Sequence, residues 1–275
     1  MLKQRIITAA VLIPLVLWAL LGLNSQVVTG LFAAVAALAA WEWLQLMGIE
    51  QCQNRLLILL GIILTGALAY MFLPATAILA ISTSVWCLAT LLVLFFAHRP
   101  LSPALSALFQ SPLFGVLTMT LILTGFVGSA SLLHGQWAQG PALLVFVMVT
   151  VWLADTGGYF AGKRFGKHKL ATAISPNKTW EGVAGGLFLG GVWALIFYFI
   201  VGDLTISLIG WLILAGFIVM VSIVGDLLES VFKRSFNVKD SGQLLPGHGG
   251  ILDRVDSLLA AIPVFTAALL VLGVN

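Results

Sequence analysis

Thr205-Ile-Ser-Leu-Ile-Gly-Trp-Leu-Ile-Leu-Ala-Gly-Phe-Ile-Val-Met-Val-Ser-Ile-Val-Gly225 carries no charged side chain, and the next residue is Asp226. A run of this length matches the hydrocarbon thickness of a bilayer when wound as a helix. It reads as a membrane-spanning helix, and the chain carries other runs of similar length. Comparable apolar runs lie at about 6–23, 27–47, 56–73, 75–97, 112–133, 141–160, 183–201 and 258–273. The chain has 275 residues, 61% apolar and 8% charged. A soluble surface needs roughly a quarter charged residues. Disorder, a secreted disulfide scaffold and a soluble enzyme are thereby excluded. The expected fold class is all-α: a polytopic integral membrane protein with about nine transmembrane helices. The first run follows Lys3 and Arg5 but is long for a signal peptide and has no clear small-residue cleavage site, so it reads as a retained span.

The charges give the orientation. With nine spans, the N-terminus and every second loop share one side. All 13 Lys and Arg residues fall there: Lys3 and Arg5, then Arg55, then Arg99, then Lys163 to Lys178, then Lys233 to Arg254. The opposite loops, such as 24–26, 134–140 and 202–204, carry none. The positive-inside rule puts the N-terminus and both long polar loops in the cytoplasm. The net charge of +3 is too small to argue for nucleic acid. Cys52 and Cys87 have no metal-like spacing.

Polarity is concentrated in two stretches, which divides the chain into N-terminal helices (1–140, about five) and a catalytic part (141–275) with cytoplasmic loops 161–182 and 226–257. In the second stretch, Asp226 and Glu229 share a helix face, as do Asp253 and Asp256 at the opening of the last span. Ionised carboxylates at the edge of hydrocarbon are costly unless paired or bound to a cation. Two such pairs from different helices suit a hard cation such as Mg²⁺. The Gly247-His248-Gly249-Gly250 segment before Asp253 lets phosphate approach backbone N–H groups at a helix start, with His248 as a further contact. Lys233, Arg234 and Lys239 add phosphate-pairing charge.

In the first stretch, Asp155 lies inside a span and is followed by Gly157 and Gly158. An acid at that depth is a functional candidate, whereas the glycines fit either helix packing or backbone approach to a ligand. Ser175-Pro176 reads as an N-cap with Pro at N1, so a helix is expected to start there, with Lys178 and Glu181 on one face of its first turn. Lys163, Arg164, Lys167 and Lys169 read as head-group or topology charges. His98 and His134 have no evident partners in the sequence. Trp41-Glu42-Trp43 looks like an interfacial aromatic belt, and Glu42 receives no role. No HExxH, CxxC, nucleophile elbow or P-loop is present, which removes zinc proteolysis, thiol redox chemistry, serine hydrolysis and ATP-motor chemistry.

The segment from Ser230 through Lys233-Arg234, Lys239-Asp240, His248-Gly249-Gly250 and Asp253-Arg254-Val255-Asp256 resembles the signature of the phosphatidate cytidylyltransferases, or CDP-diacylglycerol synthases. Asp155-Thr-Gly-Gly-Tyr-Phe160, Phe165-Gly-Lys-His-Lys-Leu170 and Ser175-Pro-Asn-Lys-Thr-Trp-Glu-Gly182 are similar to the same family. The resemblance spans the chain and is specific from Asp155 onward. It implies transfer of CMP from CTP to phosphatidic acid, giving CDP-diacylglycerol and pyrophosphate. It also implies a Mg²⁺ centre held by Asp226 and Asp253 with Asp256 close by, a second monovalent or divalent cation left open, and a homodimer in the bacterial inner membrane. On this reading Asp226, Lys239, Asp253 and Asp256 are catalytic. Asp155, Ser175, Lys178, Glu181, Lys233, Arg234, His248, Gly249, Gly250 and Arg254 bind CTP, phosphatidic acid or surrounding membrane lipid. The chemistry agrees: the lipid phosphate is already a nucleophile, and the difficulty is bringing two anions together, which cations solve.

Two other readings compete. An ion-coupled transporter would use intramembrane acids such as Asp155, but the polar residues gather at one membrane face, and no paired broken helices are visible. A CDP-alcohol phosphatidyltransferase would carry Asp-Gly-x-x-Ala-Arg, which is absent.

Overall fold

The structure is a computed structural model that describes residues 2–202, 204–236, 238, 241–242 and 249–274, with side chains from residue 11 onward. Ten helices follow in order: α1 (Leu2–Gly22), α2 (Ser25–Leu46), α3 (Cys52–Phe72), α4 (Ala75–Phe96), α5 (Pro103–Gln110), α6 (Pro112–Gln136), α7 (Gly140–Phe165), α8 (Trp180–Val201), α9 (Leu208–Ser235) and α10 (Leu252–Leu272). Between α7 and α8 lie two short strands, β1 (Lys169–Ala171) and β2 (Ser175–Thr179), paired antiparallel. The protein is a multi-pass membrane protein. Eight helices, α2, α3, α4 and α6 through α10, are long and apolar enough to cross a bilayer. The residues of α1 from Val11 to Gly22 add a further apolar stretch.

Local chemistry explains the boundaries. Asn24, Ser102 and Ser207 have extended backbones, and their side chains accept the N–H of Val27, Leu105 and Gly210 at the starts of α2, α5 and α9. Pro74 divides α3 from α4, because its ring cannot continue a helix. Pro112 stands in the first turn of α6, where its missing N–H costs nothing.

The bundle has a largely apolar centre and an apolar exterior. Phe146 packs against Trp211 at 4.4 Å and Phe197 at 4.7 Å between ring centroids. The indole N–H groups of Trp193 and Trp211 donate to Phe146 O and Ala194 O, each at 3.2 Å, so the buried polar edges are satisfied. Leu57, Met71, Phe72, Leu88, Phe188, Phe199 and Val271 are exposed, as befits helices solvated by lipid chains. His134, without a partner in the sequence reading, is buried, with Nδ1 2.9 Å from Ser25 Oγ and Nε2 2.8 Å from Leu20 O.

Two pieces of packing position the polar end. The first is α7 against α8, joined through glycine. A Cβ on Gly157 would strike the backbone of Gly185, and one on Gly186 would strike Ala154. Gly157, beside Asp155, therefore serves helix packing. The second is α9 against α10: a Cβ on Gly225 would meet the backbone of Asp256 and Ser257. Asp226 and Asp256 are thus brought together by the small residue that precedes one of them.

Candidate active site

The chain ends that carry the charges converge. The turn of the β hairpin is held by Ala173 N–H, which donates to Ala97 O at 3.1 Å, and His98 Nδ1 lies 3.3 Å from Thr172 Oγ1. Gln110 Nε2 donates to Ser235 O at 2.6 Å. Arg234 Nε donates to Ile174 O at 3.2 Å. The loop after α4, the hairpin after α7 and the ends of α5 and α9 therefore meet at one end of the bundle.

The hairpin corrects the sequence reading at Ser175. Ser175–Thr179 is strand β2, and α8 starts at Trp180. The cap is Thr179, whose hydroxyl accepts Gly182 N–H at 3.1 Å. The tertiary pairing with β1 wins because it satisfies backbone groups that an early helix start would leave to water. Lys178 and Glu181 consequently part. Lys178 Nζ stands 2.7 Å from Asp226 Oδ2, whereas Glu181 Oε1 takes His168 Nδ1 at 2.7 Å and its two oxygens accept His168 N–H, each at 3.2 Å. Glu181 ties the hairpin to α8. Ser175 sits half-buried on β2. Arg234 is exposed, with Nε committed to the hairpin backbone.

The Lys178–Asp226 ion pair joins the two polar stretches into one site. A second lysine extends it: Lys233 Nζ lies 2.8 Å from Glu229 Oε2 and 2.7 Å from Asp253 Oδ1. Glu229 is buried, and its Oε1 has no hydrogen-bond partner among the described residues. Asp253 Oδ2 accepts the N–H of Gly250 at 3.0 Å and of Ser241 at 3.3 Å, closing the start of α10. Of the glycine segment expected to cradle phosphate, Gly250 turns its N–H toward Asp253, and Gly247 lies outside the described residues. Gly249, at φ +83°, needs its lack of a side chain. Ser257 N–H donates to Asp256 Oδ1 at 2.7 Å, and Asp256 lies within electrostatic reach of both Asp226 and Glu229. Asp155 is exposed on α7 and within the same reach of Asp226, Lys178 and Arg254. Lys239 and His248 lie outside the described residues.

The donor set suits a hard divalent cation, since Asp226, Asp253 and Asp256 offer oxygen alone. Among the described residues no group of three His, Cys, Asp or Glu side chains is arranged to hold an ion unaided. The lysines instead occupy Asp226 Oδ2 and Asp253 Oδ1. Such carboxylates fit a cation that completes its shell with substrate phosphate oxygens and water, the usual habit of Mg²⁺.

Two contributors escaped the sequence. His168 is the partner of Glu181. Glu42, fully buried near the end of α2, has Oε2 accepting Leu252 N–H at 2.8 Å. The argument that singled out Asp155, an acid inside an apolar run, applies equally to Glu42 and would have found it.

Comparison with known proteins gives the family of the chain. A family model described as "Cytidylyltransferase family" matches residues 3–272. The chain is 44% identical over 274 residues to a phosphatidate cytidylyltransferase of Pseudomonas aeruginosa, covering 99% of this chain and 98% of the relative. It is 40% identical over 293 residues to one of Haemophilus influenzae, covering 97% and 98% respectively. A third, from Brucella suis, is 39% identical over 265 residues, covering 94% of this chain and 90% of the relative. The chain, with its two polar stretches locked together at one end of a helical membrane bundle, belongs to the cytidylyltransferase family.

Proposed function

We propose that the protein transfers CMP from CTP to phosphatidic acid, giving CDP-diacylglycerol and pyrophosphate. The observation that carries this reading is the Lys178–Asp226 pair with its neighbour Lys233–Asp253: cations and carboxylates drawn from α7–α8, α9 and α10 meet where a membrane helix bundle ends. A lipid phosphate stays at that depth, and CTP arrives from water.

In the reaction an oxygen of the lipid phosphate attacks the α-phosphorus of CTP, the bond from that phosphorus to the bridging oxygen breaks, and pyrophosphate leaves with that electron pair. No side-chain nucleophile is needed. Lys178 and Lys233 are held at their carboxylates until phosphate arrives, and then supply donors to the triphosphate and the leaving pyrophosphate. Asp226, Asp253 and Asp256 would hold Mg²⁺, which would supply charge neutralisation for the approach of the two phosphates. Asp155 limits where anionic oxygens can rest on the α7 side. Arg254, within electrostatic reach of Asp155, adds positive charge to the rim. The protein acts in a bacterial inner membrane with this end in the cytoplasm, and as a homodimer. The cytoplasmic orientation rests on its 13 basic residues falling at the N-terminus and in alternate loops, and the inner membrane on the resemblance to the bacterial family. The homodimer rests on the family resemblance alone.

The test is transfer of label from CTP to phosphatidic acid by purified protein in detergent, with Mg²⁺, with EDTA and with Asp253→Asn. Mg²⁺-dependent CDP-diacylglycerol that collapses in the variant is expected. Folded protein that makes no product and binds neither substrate would overturn the reaction. Full activity in Asp253→Asn would keep the reaction and overturn the site.

A further inference from the structure

The reaction above gives no role to Glu42, a buried acid. Glu42 has no exposed surface, and it belongs to α2, in the half of the chain without other chemistry. Its Oε2 accepts the N–H of Leu252, a first-turn amide of α10 that no helical carbonyl can reach. Oε1 has no hydrogen-bond partner among the described residues. The surrounding backbone is built close to this carboxylate: a Cβ on Gly242 or on Gly250 would strike it. Asp253 grips the same segment from the other side, through the N–H groups of Ser241 and Gly250. Next to Glu42, Trp43 packs edge-on against Phe232 at 4.4 Å between centroids, one residue from Lys233, and donates to Gly115 O at 3.2 Å. The end of α2 is therefore wedged between the end of α9 and the start of α10.

We infer that Glu42 is a positioning residue: by accepting the Leu252 N–H it fixes the start of α10, and with it Asp253 and Asp256, relative to Asp226 and Lys233. It touches no substrate. The inference rests on the proposed reaction for its kinetic readout only. Residues that orient acidic ligands in this indirect way typically alter activity by about 10–100-fold when changed.

The experiment compares Glu42→Gln, Glu42→Asp and Glu42→Ala in the full chain. Two quantities are read: amide hydrogen exchange in a peptide covering 250–256, and kcat and KM for CTP per monodisperse protein. Gln keeps a carbonyl oxygen at the same reach, whereas Asp keeps the charge but is one methylene short. Expected are near-normal protection and kcat for Gln, and faster exchange with kcat lowered by about 10–100-fold for Asp, KM moving less than kcat. Ala is expected to be at least as impaired as Asp. Asp outperforming Gln would overturn the inference, because charge would then matter more than reach. Ordinary protection and kcat in Asp and Ala would also overturn it, as would loss of folded protein in all three variants. If the unaltered protein transfers no CMP, the proposed reaction fails, while the exchange ordering still decides whether Glu42 holds the start of α10.

Discussion

Lys233 bridges two acids, and its removal is a demanding test of the site's electrostatics. Its side chain is 13% exposed, that of Glu229 4% and that of Asp253 16%, with N···O distances of 2.8 and 2.7 Å. At an effective dielectric of about 20, each contact represents roughly 6 kcal/mol of gross attraction, most of it offset by the cost of taking the ions out of water. What survives is the asymmetry: Lys233→Met leaves Glu229 and Asp253 without this counter-charge. Stranding one member of a buried pair costs about 3–5 kcal/mol. The double variant Lys233→Met with Glu229→Gln removes the more buried acid as well and should recover most of that loss. The assay is reversible unfolding in mixed micelles, with CMP transfer measured on the same preparations. Activity should be lost in both variants, because the Lys233 ammonium is absent in both, while stability is lost chiefly in the single one. A cost under about 1 kcal/mol for Lys233→Met, or a double variant no more stable than the single, would refute the reasoning.

Other perturbations separate positioning from packing. Lys178→Ala breaks a half-exposed pair with Asp226, so stability should change by about 1 kcal/mol or less while CMP transfer falls by about 100-fold or more, read from unfolding and initial rates on one sample. Glu181→Gln should leave the KM for CTP nearly unchanged, since this carboxylate serves His168 and the hairpin; a large rise in KM would return it to the substrate. Gly185→Leu should abolish monodisperse protein on size-exclusion chromatography, because even a Cβ there strikes Ala161 and the backbone of Gly157. Gly191→Ala, with open space at its Cβ, should behave normally in the same experiment.

Particular elements show what could be read before folding. Apolar runs such as 205–225 declare membrane helices because backbone polar groups in hydrocarbon must be satisfied within the segment, so length and composition suffice. The side on which Lys and Arg fall is likewise a one-dimensional property. The carboxylates at Asp226, Asp253 and Asp256 were legible because acids beside hydrocarbon are costly and need a reason. The helix start expected at Ser175 was misread for the opposite reason. A Ser-Pro pair is a sound local cap signal, but pairing with Lys169–Ala171 satisfies more of that backbone and delays the helix to Trp180.

Sequence alone was enough for a membrane helix bundle whose charged residues gather in two stretches, and for the acids and bases proposed to act there. Only the tertiary structure decided which of them touch. Lys178 chose Asp226 over Glu181, Lys233 bridged Glu229 to Asp253, and Glu42 reached across 210 positions to Leu252. These choices follow from close packing at Gly157, Gly185 and Gly225, where the missing side chains set the spacing of helices. Contacts of that kind depend on ångström distances between segments far apart in the chain, and no local pattern encodes them.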